Sequence, residues 1–341
     1  MHEKLCYNSN HQFTGVKEME EIRICEAEYG TVMRDKIEPF LADIRQEGFF
    51  DAKDGLRIHY EMYLHPQSRG AVVIAHGFTE SAEKFREMAY RCYAQGYSVF
   101  SIDHRGHGRS GRLVMPEFLT HVENFADYVE DFERFVDQIV LPHSEGLPVM
   151  PFGHSMGGAI VALALIRRPK AYARAVLNAP MIQASTNGIP LRVAQLLGRA
   201  MCAVGMSKRL MPGFAKAYDP EEDFEKSCSM DRSRFNYYQA KRRTEPCLRN
   251  TSPTIGWVRN AMEVPDLLLY PANAGEIGCP VLLLQAERDH MVENDAQNRF
   301  IDMVPQGMLM QIPGSKHEIF MSPDDVLEGY YQTLFSFLAE K

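Results

Sequence analysis

The chain has 341 residues, of which 45% are hydrophobic and 24% charged, and a formal net charge of −8. This is a globular composition at a length that suits an α/β core carrying an insertion, and it excludes a disordered or membrane-spanning chain. The negative surplus excludes nucleic acid as a partner and any attraction of the whole surface to anionic lipid, so contact with a membrane would have to be apolar and local.

The longest apolar runs, Ala71 to Ala75 and Val281 to Leu284, are of strand length, far short of a bilayer crossing. Near the start, Glu3, Lys4, His11 and an acidic patch from Glu18 to Glu28 offer neither the basic nor the apolar region of a secretory signal. Seven cysteines scattered from Cys6 to Cys279 without paired spacing fit free thiols in a reducing compartment. The expected location is therefore the cytoplasm.

In chain order, residues 1–48 read as an N-terminal helical extension with Ile37, Phe40, Leu41 and Ile44 on one face. A turn signal at Asp51 to Gly55 then precedes alternating Leu56, Ile58, Tyr60 and Met62, a half-buried strand following a hairpin. The buried strand at Ala71 to Ala75 leads into His76-Gly77-Phe78-Thr79-Glu80-Ser81, a helix over 82–95 and a second buried strand over 97–103. Strand, loop, helix, strand implies parallel pairing with helices on both faces. A glycine-rich loop from His104 to Ser110 follows. A helix is predicted to begin at Thr120 with a Thr120–Glu123 capping box, carrying Val122, Phe125, Val129, Phe132, Val136 and Ile139 on one stripe. Next come a strand over 147–152, the turn Gly153-His154-Ser155-Met156-Gly157-Gly158, a helix over 159–166 and a strand over 175–178. Over 181–278 the rhythm breaks, in a region rich in Met, Leu, Arg and Tyr that holds the single tryptophan, Trp257. Order resumes with strands over 280–286 and 308–312 and helices over 295–303 and 323–338. The partition is an extension (1–48), an α/β core (49–180 and 279–341) and a cap or lid insertion (181–278).

Gly-Xaa-Ser-Xaa-Gly between a strand and a helix is a turn so tight that the serine is strained and its hydroxyl projects from the top of the sheet. A serine hydroxyl needs a base to take its proton, and that base needs an acid to orient it. Asp289 lies just past the strand ending at Ala286, with Glu287 and Asp295 as rivals, and His317 lies just past the strand over 308–312, with His290 as its rival. Two N–H donors for an oxyanion are expected at Met156, next to the serine, and at Phe78, on the loop after the first parallel strand. His104 and His107 have no third ligand at suitable spacing, so no metal is expected. In the insertion, apolar residues from Ile189 to Met211 at helical spacing fit either an acyl channel or packing against the core. Lys241, Arg242, Arg243, Arg249 and Arg259 fit either a phosphodiester headgroup site or a solvated basic face.

The segments His76 to Ser81, Asp103 to Ser110 and Gly153 to Gly158 together resemble the α/β-hydrolase superfamily, in its monoacylglycerol lipase and lysophospholipase branch. Ser110 to Leu113, Pro253 to Arg259, Leu282 to Glu287 and His317 to Ile319 are similar to bacterial lysophospholipases, and the likeness runs from about Phe49 onward. The resemblance implies an α/β-hydrolase fold, with a mostly parallel central sheet, helices on both faces and a largely helical cap. It implies a serine hydrolase acting on the acyl ester of a lysophospholipid through Ser155, His317 and Asp289, with Phe78 and Met156 as the oxyanion hole. Trp257, Arg242, Arg243 and Arg259 are the candidate substrate-binding residues. No cofactor is implied, the partner is a lipid or ester small molecule, and any transient peripheral contact with the inner membrane face would be made through the cap. A monoacylglycerol lipase or general carboxylesterase would use the same three residues, and haloperoxidases and carbon–carbon bond hydrolases share the scaffold. A non-catalytic binding module of this shape would show a broken triad.

Overall fold

Runs of β-branched and aliphatic residues too short for helices build the centre of the molecule. In the computed structural model, which describes residues 22–340, they form one eight-stranded sheet. Residues 1–21 of the N-terminal extension, Cys6 among them, lie outside the described residues. A helical run over 29–44 buries Ile37 and Leu41. It gives way at Arg45 to β1 (Arg45–Asp51), which pairs antiparallel with β2 (Arg57–Tyr63). Then follow β3 (Ala71–Ala75), α1 (Arg86–Ala94), β4 (Ser98–Ile102), α2 (Phe125–Phe135), β5 (Val149–His154), α3 (Met156–Arg167) and β6 (Ala175–Asn178). After these come α4 (Leu191–Ala203), α5 (Arg232–Thr244) and α6 (Ile255–Leu268), then β7 (Val281–Ala286), α7 (Asn294–Met303), β8 (Gly307–Ile312) and α8 (Asp324–Ala339).

The strand order is β1-β2-β4-β3-β5-β6-β7-β8, and from β4 to β8 every pairing is parallel. A strand buried on both faces favours small or apolar residues at every position, which is why β3 reads as one continuous apolar run, while β4 admits only the small polar Ser98 and Ser101, both buried. Their side chains still divide between two cores. Val73, Phe100, Leu177 and Leu283 pack with Phe132, Ile160 and Leu268 on one face, while Val72, Ile74, Phe152 and Leu284 pack with Ile37, Tyr90 and Leu334 on the other. The mostly parallel sheet flanked by helices agrees with the fold the sequence implied.

The predicted start of α2 needs correction. Thr120 lies in a two-residue bridge, Leu119–Thr120 with Ser252–Pro253, and its carbonyl and hydroxyl accept from Thr254 N and Asn250 Nδ2 at 2.9 and 2.8 Å. Its polar groups are taken by Asn250 and Thr254, so the helix begins at Phe125 instead, under a capping box made by Asn124 and Asp127.

The segment between β6 and β7 is fastened unevenly. Helix α6 buries Trp257, Ala261, Val264 and Leu268 in the main core. Helix α5 is held by buried charge: the Arg234 guanidinium, fully buried, donates to Glu87 at 3.0 and 3.2 Å and to Asp324 at 3.0 Å, over the Tyr29 ring. Lys241 pairs with Glu38 and Glu83. By contrast α4 leaves Val193, Leu196 and Leu197 exposed. Among the described residues no helix is long and apolar enough to cross a membrane.

Candidate active site

Ser155 sits at φ 53° and ψ −117°, between the last residue of β5 and the first of α3. A side chain in that region is strained, and the strain is held by contacts that exclude any larger neighbour. A Cβ on Gly157 would meet the Ala75 carbonyl oxygen at 2.1 Å, and one on Gly158 would meet Pro180 Cβ at 2.6 Å. The turn is locked further by Ser155 N donating to Asn178 O at 3.1 Å and Met181 N donating to Ser155 O at 2.8 Å.

The loops after β7 and β8 converge on this turn because the parallel sheet sends all its strand ends to one rim. His317 Nε2 lies 2.8 Å from Ser155 Oγ, and His317 Nδ1 lies 2.7 Å from Asp289 Oδ2. The other carboxylate oxygen of Asp289 accepts the amides of Met291 and Val292 at 2.8 and 3.2 Å. Burial works to raise the Asp289 pKa, but the charge and hydrogen bond of His317 and the two amides outweigh it, leaving the carboxyl below its ordinary value. The rivals are engaged elsewhere: Glu287 accepts the Gly314 amide at 2.7 Å, and His290 Nε2 faces Cys228 Sγ at 4.0 Å.

The Phe78 loop is pressed against the same turn, since a Cβ on Gly77 would come within 3.1 Å of Ser155 Cβ. Its shape comes from its own polar groups. Gly77 N donates to Glu80 Oε2 at 2.7 Å, and His76 Nδ1 meets Gly77 O at 2.7 Å while its Nε2 accepts from His104 N at 3.0 Å. Among the described residues no protein acceptor meets the amides of Phe78 or Met156. Trp257 lies against Phe78, ring centroids 4.0 Å apart, so it braces this loop from the core side.

Sequence reasoning gives no role to Asp103 or Glu80, and the structure gives both one. Asp103 accepts from Ala82 N at 2.8 Å, from Arg109 N at 2.9 Å and from His59 Nδ1 at 2.9 Å, tying together the loops after β3 and β4. A carboxylate at the end of a buried strand, followed by a glycine-rich loop short of acceptors, was its signal. The signal for Glu80 was its place three residues beyond Gly77 in a turn.

The arginines offered as headgroup ligands have other partners. Arg242 is buried, donating to Leu248 O and Asn250 O at 3.2 Å each and pairing with Glu222 at 2.5 Å. Arg243 donates to Pro220 O at 2.9 Å, and Arg259 to Glu123 O at 3.1 Å. Among the described residues Glu47, His59 and Glu61 offer three ligand atoms within 4.8 Å of one another. Arg45, Arg86 and Arg109 already neutralise Glu61 there, leaving little attraction for a metal cation.

Burial lowers the pKa values of His76, His104, His107 and His154, those of the last three well below the ordinary value. Each imidazole is then neutral in the folded state where the unfolded chain would bind a proton. Stability is therefore full above pH about 6.5 and drains below it, at about 1.4 kcal/mol per pH unit for each histidine, until the folded value is passed. Asp131, whose carboxyl burial pushes up to about 6, opposes this in part by taking up a proton in the folded state. With four histidines against one carboxyl, the urea midpoint is still expected to drop between pH 7.5 and 5.5, and a flat profile over that span would contradict this assignment.

Sequence comparison matches residues 66–324 to the family described as serine aminopeptidase, S33. Lysophospholipase L2 of Escherichia coli (strain K12) is 33% identical over 291 residues, covering 82% of this chain and 83% of that protein. A monoacylglycerol lipase of Mycolicibacterium smegmatis is 29% identical, covering 84% of this chain and 95% of that one. Among solved structures, a soluble variant of monoglyceride lipase from Saccharomyces cerevisiae in complex with a substrate analog superposes with a TM-score of 0.68 at 20% identity, covering 86% and 94% of the two chains.

Proposed function

Because the chain belongs to the serine aminopeptidase S33 family of α/β-hydrolases and is a carboxylic ester hydrolase, we propose that it is a lysophospholipase working by acyl transfer to Ser155. The observation that carries this reading is the unbroken Ser155–His317–Asp289 relay, with contacts of 2.8 and 2.7 Å. His317 Nε2 takes the hydroxyl proton as Ser155 Oγ attacks the ester carbonyl, and Asp289 holds the Nδ1 proton and offsets the imidazolium charge. The negative oxygen that forms is met by the Phe78 and Met156 amides at the N-terminus of α3, where the helix dipole adds to them. His317 returns the proton to the departing alcohol. It then takes one from water, whose hydroxide attacks the acyl carbonyl, and passes that proton to Ser155 Oγ as its bond to the acyl group breaks, releasing the acid and restoring both residues.

The lysophospholipid preference rests on the likeness to the E. coli enzyme over most of both chains. Exposed Val193, Leu196 and Leu197 on α4 support a cap, drawn from 181–278, that meets lipid. The M. smegmatis relative favours a second reading, monoacylglycerol hydrolysis. Rates on long-chain lysophosphatidylethanolamine, monoolein and a short p-nitrophenyl ester separate the two. The lysophospholipid is expected to give a kcat/KM at least tenfold above monoolein's, since a headgroup contact distinguishing them carries about 1.4 kcal/mol or more. A preference for monoolein would replace this assignment with the second, and a preference for the short ester would point to a general carboxylesterase.

A further inference from the structure

Lys84 stands on the short turn of helix that follows the Phe78 loop, with only 7% of its side chain exposed. Its ammonium lies 3.0 Å from Glu80 Oε1 and 2.5 Å from Glu318 Oε1. Neither carboxylate is merely a counter-ion. The second oxygen of Glu80 holds the Gly77 amide at 2.7 Å, and so shapes the loop that presents Phe78. Glu318 follows His317 directly; its second oxygen accepts from Ser229 Oγ at 2.7 Å, and its amide donates to Cys228 O at 3.3 Å. The Tyr238 and Phe320 rings cover the ammonium, 5.3 and 5.8 Å away. Burial opposes the charge on Lys84, but Glu318 and Glu80 outweigh it and keep the group protonated.

One cation thus joins three segments that are distant in the chain: the oxyanion loop, the histidine loop and the Cys228–Ser229 stretch of the insertion. We propose that Lys84 is a positioning residue, a charged strut that sets the Phe78 amide and the His317 imidazole at a fixed separation across Ser155. This rests on the reading of Ser155 as nucleophile. A paired ammonium at this depth is directional, and a displacement of about 1 Å at reacting groups is enough to cost about 100-fold in rate. The role predicts a loss in kcat rather than in ground-state binding.

The test uses the full chain with p-nitrophenyl butyrate and reads kcat, KM and thermal midpoint for wild type, Lys84→Met, Lys84→Arg, Glu318→Gln and Ser155→Ala. Lys84→Met is expected to lose about 100-fold in kcat with KM within about threefold, and Lys84→Arg, which keeps the charge, to recover most of that loss. If Lys84→Met does not fold, Glu318→Gln, which leaves the ammonium on Glu80, decides. A tenfold or greater fall in kcat supports the strut, and an unchanged kcat overturns it. A folded Lys84→Met with wild-type kcat, or Lys84→Arg no better than Lys84→Met, overturns it as well. Ser155→Ala turning over at the wild-type rate would overturn the nucleophile reading, and the strut with it. With Ser155→Ala inactive, the nucleophile stands, and the Lys84 and Glu318 variants alone decide whether the strut does.

Discussion

Ser155→Ala is expected to lose about a million-fold in kcat on every acyl ester while folding normally. The substitution removes Oγ, the only atom of the residue that reaches His317 Nε2, at 2.8 Å. Alanine inherits the same backbone strain at φ 53°, and the bonds from Ser155 N to Asn178 O and from Met181 N to Ser155 O use main-chain atoms alone. One lost hydrogen bond is worth about 1 kcal/mol, so the thermal midpoint should stay within about 4 °C of wild type. Hydrolysis assays run beside fluorophosphonate labelling check this. Turnover above about 1% of wild type, against the million-fold loss expected, or labelling that persists in the variant, would place the nucleophile elsewhere.

Asp289→Asn should be the next most damaging change, with kcat down by about 10⁴-fold. The carboxylate accepts the Nδ1 proton of His317 at 2.7 Å and so leaves Nε2 bare toward Ser155. An asparagine amide can present its NH₂ to Nδ1 instead, which drives the ring proton to Nε2 and deprives Ser155 of its base. The other oxygen, holding the Met291 and Val292 amides, is kept in asparagine, so the loop should survive. Asp289→Ala removes the acceptor of both amides, at about 0.5–1.5 kcal/mol for each lost hydrogen bond, since Met291 is exposed and its amide can turn to water. The expected pattern is a thermal midpoint near wild type for Asn and a lower one for Ala, with kcat low in both. A kcat within tenfold of wild type for Asn would remove Asp289 from the relay.

What could be read in the residues followed the range over which each signal acts. Strand β3 and the first four residues of β7 were visible as apolar runs, because burial on both faces leaves a continuous stretch of one kind. Ser155, Asp289 and His317 could be set in order because parallel strands send their following loops to one rim. Thr120 misled because a threonine three residues before a glutamate looks like a cap, whereas its hydroxyl is claimed by Asn250, 130 residues onward. The partners of the α5 arginines were not legible either. Arg242 and Arg243 look like a basic face in the sequence, and the carbonyls and Glu222 that engage them come from other turns of the insertion. Trp257 carried no local sign that its ring would lie on Phe78.

The burial of Arg234 bears on how far this chain can be trimmed. Its guanidinium is surrounded by Glu87 of α1, Asp324 of α8 and the Tyr29 ring, so residues from near both ends help to solvate a charge at the middle of the chain. A shortened version beginning at Phe49 would keep every strand after β1 and every residue of the relay. It would nevertheless uncover that cation along one side and take Glu38 from Lys241 and Arg86. The shortened chain is therefore expected to keep the hydrolytic residues yet melt at a lower temperature than the full one.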